Sequence, residues 1–146
     1  MKNIEVKVID TVLKPIEDVF DAIINPDKLT GFFISKSSGA LVKGETLTWF
    51  FEDVNVKIDV TVIDIIKYNT ISFVWEAIGE KAEVTILLNE EATDKTKVTI
   101  TEKSFLFTES GVQKALGQTQ GWTDFLCSLK AYLYCGINLR NGRSIR

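Results

Sequence analysis

The apolar positions of this chain change period several times, and each change marks an element. In "IEVKVIDTVL", Ile4, Val6, Val8 and Val12 alternate with charged neighbours, which predicts a half-buried strand with Glu5 and Lys7 on its outer side. In "KPIEDVFDAIINPDKL" the spacing becomes helical, with Ile16, Val19, Phe20, Ile23 and Ile24 on one face. Pro15 suits a first helical position, and Glu17 and Asp18 favour the positive helix start. Asn25-Pro26 ends that helix and caps a second, shorter one through Leu29.

From Phe33 to Phe107 the period is two, interrupted by turn residues at Ser38-Gly39, Lys43-Gly44, Asp53, Tyr68-Asn69, Gly79-Glu80 and Ala92 to Lys95. About six antiparallel strands result. Their inward sets are Leu47, Trp49 and Phe51; Val54, Val56, Ile58, Val60 and Val62; Ile71, Phe73 and Trp75; Val84, Ile86 and Leu88; and Val98 with Ile100. A polar connector follows around Thr108 to Thr119, of which "SGVQKALG" has helical character. "GWTDFLCSLKAYLYCGINLR" then reads as one long helix, Gly121 to Arg140. Its stripe carries Trp122, Phe125, Leu126, Leu129, Tyr132, Leu133 and Ile137, while Asp124, Ser128 and Lys130 face elsewhere.

A stripe that wide must be buried, and the large apolar surface available is the concave face of a twisted sheet. The predicted class is α+β: a seven-stranded curved antiparallel sheet, two short helices and a long C-terminal helix, in the order β-α-α-β6-α. At 146 residues and 45% apolar composition the chain matches one domain, residues 1–146, able to hold together without metal or disulfide.

Charge and cysteine usage narrow the function. A net charge of -3 disfavours nucleic acid and anionic membrane surfaces, and Arg140, Arg143 and Arg146 read as a solvated tail. No apolar run approaches the roughly 20 residues of a membrane span, and "KNIEVKVID" after Met1 is unlike a secretory signal, so a cytoplasmic protein is expected. Cys127 and Cys135 are eight residues apart on one helix, about 12 Å along its axis, too far to pair with each other. There is no His, no metal-ligand spacing and no glycine-rich phosphate loop, so neither a cofactor nor a metal is expected.

The order of elements, with "LKPIEDVFDAIINPDKLTGFF", "VTVIDIIKYNTISFVWE", "TKVTITEKSF" and "GWTDFLCSLKAYL", resembles the START-like (SRPBCC) helix-grip superfamily. Within it the chain looks most like the group named for the activator of the ninety-kilodalton heat-shock protein ATPase. The resemblance implies a cavity between sheet and long helix, used across the superfamily for lipids, polyketides and other apolar molecules. Two positions depart from the pattern: Gly31-Phe32-Phe33 stands where many relatives carry Trp, and Glu102 where many carry His after the Thr-x-Thr strand.

The candidate ligand-binding residues are Trp49, Phe51, Phe73, Trp75, Glu102, Trp122, Phe125, Leu126 and Leu129. Leu47 points the same way. Large side chains at these phases either fill a core or line a pocket, and both readings stand at this level. Glu102 is in phase with Val98 and Ile100, where a carboxylate is costly unless it is hydrogen-bonded, paired or wet. It is either a polar anchor for a ligand or a solvated residue beyond the strand's end. Asp10, in phase with Val8 and Val12, raises the same question; Glu76 falls on the outer face.

Three functions follow. The first is a binding module for a small apolar molecule, needing a cavity of about 300 Å³ or more. The second is an interaction protein whose partner is a chaperone or a second copy of itself, needing an exposed apolar patch. The third is an enzyme using two convergent inward carboxylates. The first is the expectation carried forward.

Overall fold

A computed structural model of the protein describes residues 2–143. Strand β1 (Asn3–Val12) is followed by helices α1 (Ile16–Ile24) and α2 (Pro26–Leu29). Six strands follow: β2 (Lys36–Ser37), β3 (Thr46–Phe51), β4 (Val56–Ile66), β5 (Thr70–Trp75), β6 (Ala82–Ala92) and β7 (Lys95–Leu106). Helix α3 (Glu109–Cys135) closes the order. The strands form one antiparallel sheet in the order β1-β7-β6-β5-β4-β3-β2, so β1 crosses over to pair with β7. This is the predicted helix-grip architecture, α+β with seven strands.

Alternation decides what each strand buries. Leu47, Trp49 and Phe51 of β3, Ile71, Phe73 and Trp75 of β5, Val84, Ile86 and Leu88 of β6, and Val98 and Ile100 of β7 are all buried, as their phase requires. In β4 the expected inward set is too long. Val54 lies in a 3₁₀ turn (Glu52–Val54) and Val56 opens the strand; both are exposed, and Asn55 between them takes a left-handed φ of 55°. A bulge between Val62 and Asp64 then shifts the phase, turning Ile63 outward and Ile65 toward the core.

The two short helices follow the local signals with one adjustment. Pro15 occupies the cap of α1 instead of its first turn, with ψ at 149°, and its carbonyl accepts from Asp18 and Val19. Asn25 caps α2 as expected, its side chain accepting from the Asp27 N–H. Phe32, Phe33 and Ile34, just after α2, are buried in a turn that places the Phe33 ring deep inside the molecule.

Helix α3 departs most from expectation. It begins at Glu109, absorbing the supposed connector, and ends at Cys135. The Thr108 side chain caps the start, accepting from the Gly111 N–H at 3.0 Å, and Gly136, at φ 67°, closes the end. Ile137 therefore falls outside the helix and is 52% exposed. Gly111 is required where α3 turns back on β7, because a Cβ there would overlap the Leu106 carbonyl. The buried stripe runs Gly111, Ala115, Trp122, Phe125, Leu126, Leu129, each large apolar member contributing roughly 1.5–3 kcal/mol by burial. Ser128, expected to face away, is buried as well.

Candidate functional site

Glu102 extends the inward set of β7 by one more position. Its cross-strand neighbours are Val6 on β1 and Val84 on β6, both buried, and Glu102 itself is 0% exposed. Such a carboxylate must find donors within the protein. It does so on both oxygens: Trp75 Nε1–H donates to Oε2 at 2.8 Å and Trp122 Nε1–H to Oε1 at 2.8 Å. Gln118 Nε2 donates to Oε1 at 2.9 Å and reaches Oε2 at 3.3 Å. All three groups are neutral donors. Gln118 and Trp122 are four residues apart on α3 and so share a face, while Trp75 comes from β5, one strand beyond β6. The curvature of the sheet brings the β5 indole and the α3 pair onto one carboxylate.

Around this polar pin the aromatic residues pack on one another. Phe33 contacts Trp49, Phe51, Trp122 and Phe125 at centroid distances between 4.7 and 5.8 Å. Phe73 meets Trp49 and Trp75 edge-on at 5.3 and 5.5 Å, and Trp75 lies 5.3 Å from Trp122 at an interplanar angle of 30°. Edge-to-face pairs of this kind contribute about 0.5–1.5 kcal/mol each beyond their burial. Trp49, Phe51, Phe73 and Phe125 are thus buried within this aromatic cluster, with Leu126 and Leu129 buried further along α3.

A small pocket does reach the pin. It has a volume of about 100 Å³ and is lined by Phe33, Trp75, Gln118, Gly121, Trp122, Asp124 and Arg140. Of the nine expected ligand-binding residues, Trp75 and Trp122 line it directly, and Glu102 sits behind Gln118. Outside lies a much larger groove of about 840 Å³ along α3, whose walls include Val54, Gly117, Gly121, Cys127, Arg140 and Arg143. Gly121, Asp124 and Arg140 line both, so pocket and groove share a wall. At Gly117 and Gly121 nothing lies within 4 Å of where a Cβ would be, which leaves the groove floor as open helix surface.

The outer rim is built by residues expected to be a solvated tail. Arg140 Nη2 lies 2.6 Å from Asp53 Oδ2, with the two side chains 19% and 12% exposed, and its guanidinium sits 5.6 Å above the Phe51 ring. The Arg140–Asp53 pair is close but poorly angled, since neither Asp53 oxygen receives a well-formed hydrogen bond. Arg143 pairs with Asp124 through two hydrogen bonds of 2.9 Å, and the bond to that carboxylate raises the guanidinium pKa against the opposing effect of burial. Residues 136–143 therefore fold back beside the pocket as a strap held by two ion pairs. Arg146 lies outside the described residues.

The second inward carboxylate goes elsewhere. Asp10 pairs with Lys130 of α3 at 2.8 Å, and its strand partner is Val98, four positions and hence about 13 Å from Glu102 along the sheet. The two acids do not converge. Glu76 is exposed, as its phase predicts. Cys127 and Cys135 are exposed and unpaired. Among the described residues no group of three Cys, Asp or Glu side chains is arranged to hold a metal ion, and no helix is long and apolar enough to cross a membrane.

Sequence reasoning missed Phe33, Gln118, Asp53 and Arg140. Gln118 was within reach, since its spacing from Trp122 is helical, but it lies before the expected helix start at Gly121, whereas α3 begins at Glu109. Asp53 and Arg140 meet only through the tertiary fold.

The comparisons agree with this architecture. No curated protein matches the chain. A crystal structure of a Staphylococcus saprophyticus protein is 32% identical, covering 94% of this chain and 96% of its own, with a TM-score of 0.82. DynU16, from the dynemicin biosynthetic locus, is 23% identical with a TM-score of 0.79, covering 91% of this chain but 48% of its own. The Aha1 dimer of Colwellia psychrerythraea is 22% identical, covering 91% and 98%, with a TM-score of 0.75. The last two likenesses show the fold. The family model described as Activator of Hsp90 ATPase homolog 1-like protein matches residues 14–134, from the end of β1 almost to the end of α3, and the chain belongs to that family.

Proposed function

We propose that this protein binds a small, mainly apolar molecule whose body lies in the groove along α3 and whose tip enters the pocket against Trp75 and Trp122. The observation that carries this reading is that the groove of about 840 Å³ and the pocket of about 100 Å³ share Gly121, Asp124 and Arg140 as lining residues, the pocket ending on two indoles fixed by a buried carboxylate. A groove of that size suits a small organic ligand, and the inner pocket alone is too small for one. The groove lies beside the aromatic cluster rather than within it. The shared fold with DynU16, a protein of a biosynthetic locus, supports a small molecule as the occupant.

The test is native mass spectrometry of the purified protein, followed by denaturing extraction of whatever co-purifies. A near-stoichiometric apolar adduct is the expected result. A protein that stays empty and also fails to bind a panel of hydrophobic probes overturns the reading.

A second reading is a docking surface. Phe107 and Leu116 are 67% and 60% exposed beside a groove of about 400 Å³ lined by Ile4, Val6, Val112 and Ala115. The dimeric state of the Colwellia Aha1 structure supports self-association as the use of such a patch, without assigning its interface. Sedimentation of the intact chain across concentrations tests it: a single monomeric species at all concentrations removes this reading.

A further inference from the structure

We infer that Gln118 is a displaceable cap on Glu102, and that the site prefers a ligand ending in a primary amine over one ending in a carboxylate. The inference rests on the binding reading above and concerns which head group reaches the end of the pocket.

The three groups on Glu102 are not equivalent. Trp75 and Trp122 are 6% and 3% exposed and are held by ring contacts on several sides. Gln118 is only half-buried, borders the pocket, and is joined to the carboxylate by its flexible amide alone among its described hydrogen bonds. Rotating it toward solvent leaves the indoles in place and extends the pocket to the carboxylate.

What replaces it must be a donor. Both oxygens of Glu102 already accept from an indole, and the position vacated by Gln118 is one from which a single nitrogen reaches both, at 2.9 and 3.3 Å. A primary ammonium presents three N–H donors and a positive charge to the carboxylate, where the amide offers a neutral donor. A carboxylate head group would instead set oxygen against oxygen. Nor would the rim rescue it: Arg140 and Arg143 are already matched to Asp53 and Asp124. The apolar body of the amine would run outward into the groove past Gly121 and Gly117, where α3 carries no side chain.

The experiment titrates the full chain at pH 7 with phenethylamine, 3-phenylpropanoate and ethylbenzene, following binding by calorimetry and by tryptophan fluorescence. The amine is expected to bind at least roughly tenfold more tightly than the carboxylate, and Gln118→Ala to tighten the amine by up to about tenfold, because it removes the competing donor. Glu102→Gln is expected to abolish the preference; should that variant fail to fold, Gln118→Ala decides alone. Equal binding of all three probes, or an amine affinity unmoved by Gln118→Ala, overturns the inference while leaving the binding reading intact. Binding by none of the three, in a protein that does capture a larger apolar molecule, likewise overturns the inference alone; failure of every apolar ligand removes both.

Discussion

Trp122 of α3 donates its indole N–H to Glu102 of β7 across 2.8 Å, and both residues are buried. A long helix gripping a sheet by burial alone could slide or rotate, since the hydrophobic effect has no direction. This bond has one. With Trp75 on the other oxygen and Gln118 beside it, the carboxylate fixes how α3 lies over β5 and β7.

Removing the carboxylate is therefore predicted to destabilise the protein. Glu102→Ala leaves two indole N–H groups and an amide without an acceptor, at about 1–3 kcal/mol for each buried donor that finds no water. Glu102→Gln keeps one acceptor oxygen and is expected to cost less than Glu102→Ala. Urea denaturation compares the two. Equal stability of wild type and Glu102→Ala would contradict the role given to this residue.

Ser128 predicts the opposite sign. It is 1% exposed and its hydroxyl has no partner among the described residues. Ser128→Ala removes an uncompensated polar group and adds helix propensity, so stability should rise by about 0.5–1 kcal/mol. A drop in the urea midpoint would mean that the hydroxyl has a partner.

The Asp10–Lys130 pair makes a pH-dependent contribution. The hydrogen bond to Asp10 raises the Lys130 pKa above the usual 10.5. A raised folded-state value means the contribution is fully present below the unfolded pKa and is lost as pH rises through the folded one. Stability should decline at alkaline pH beyond about 10.5, and Lys130→Met should flatten that decline. An unchanged alkaline limb in the variant would assign the decline to other groups.

The two cysteines report on the groove. Both are exposed thiols on α3, but Cys127 is in the groove wall and Cys135 is not among its lining residues. Alkylation should modify both in the free protein, and a groove ligand should slow Cys127 while leaving Cys135 unchanged. Equal protection of both would point to a change in α3 as a whole.

Most of the fold was legible because period-two and helical spacings in this chain are long and clean. Trp49, Phe73, Val84 and Ile100 fall inward by simple alternation. The start of α3 was not legible: Gly111, Gly117 and Gly121 lower helix propensity across 109–121, and what sustains the helix there is a tertiary approach to Leu106 and the polar pin at Gln118. The same holds for the site. The inward phase of Glu102 could be read from β7 alone, and the expectation of a ligand anchor or a solvated residue did not include what the residue does, which is to hold the protein's own indoles. The strap could not be read from its composition, since Arg140 and Arg143 look like any basic tail until Asp53 and Asp124 are placed opposite them.

The most direct test of the central claim is a nuclear magnetic resonance titration of the indole N–H signals, which separates Trp75 and Trp122 at the pocket from Trp49 in the packed interior. As an apolar amine such as phenethylamine is added, the Trp75 and Trp122 signals are predicted to shift together and saturate, with Trp49 moving much less. No movement of Trp75 and Trp122 while an apolar ligand binds would contradict the account, because the ligand would then lie somewhere other than the groove and its inner pocket.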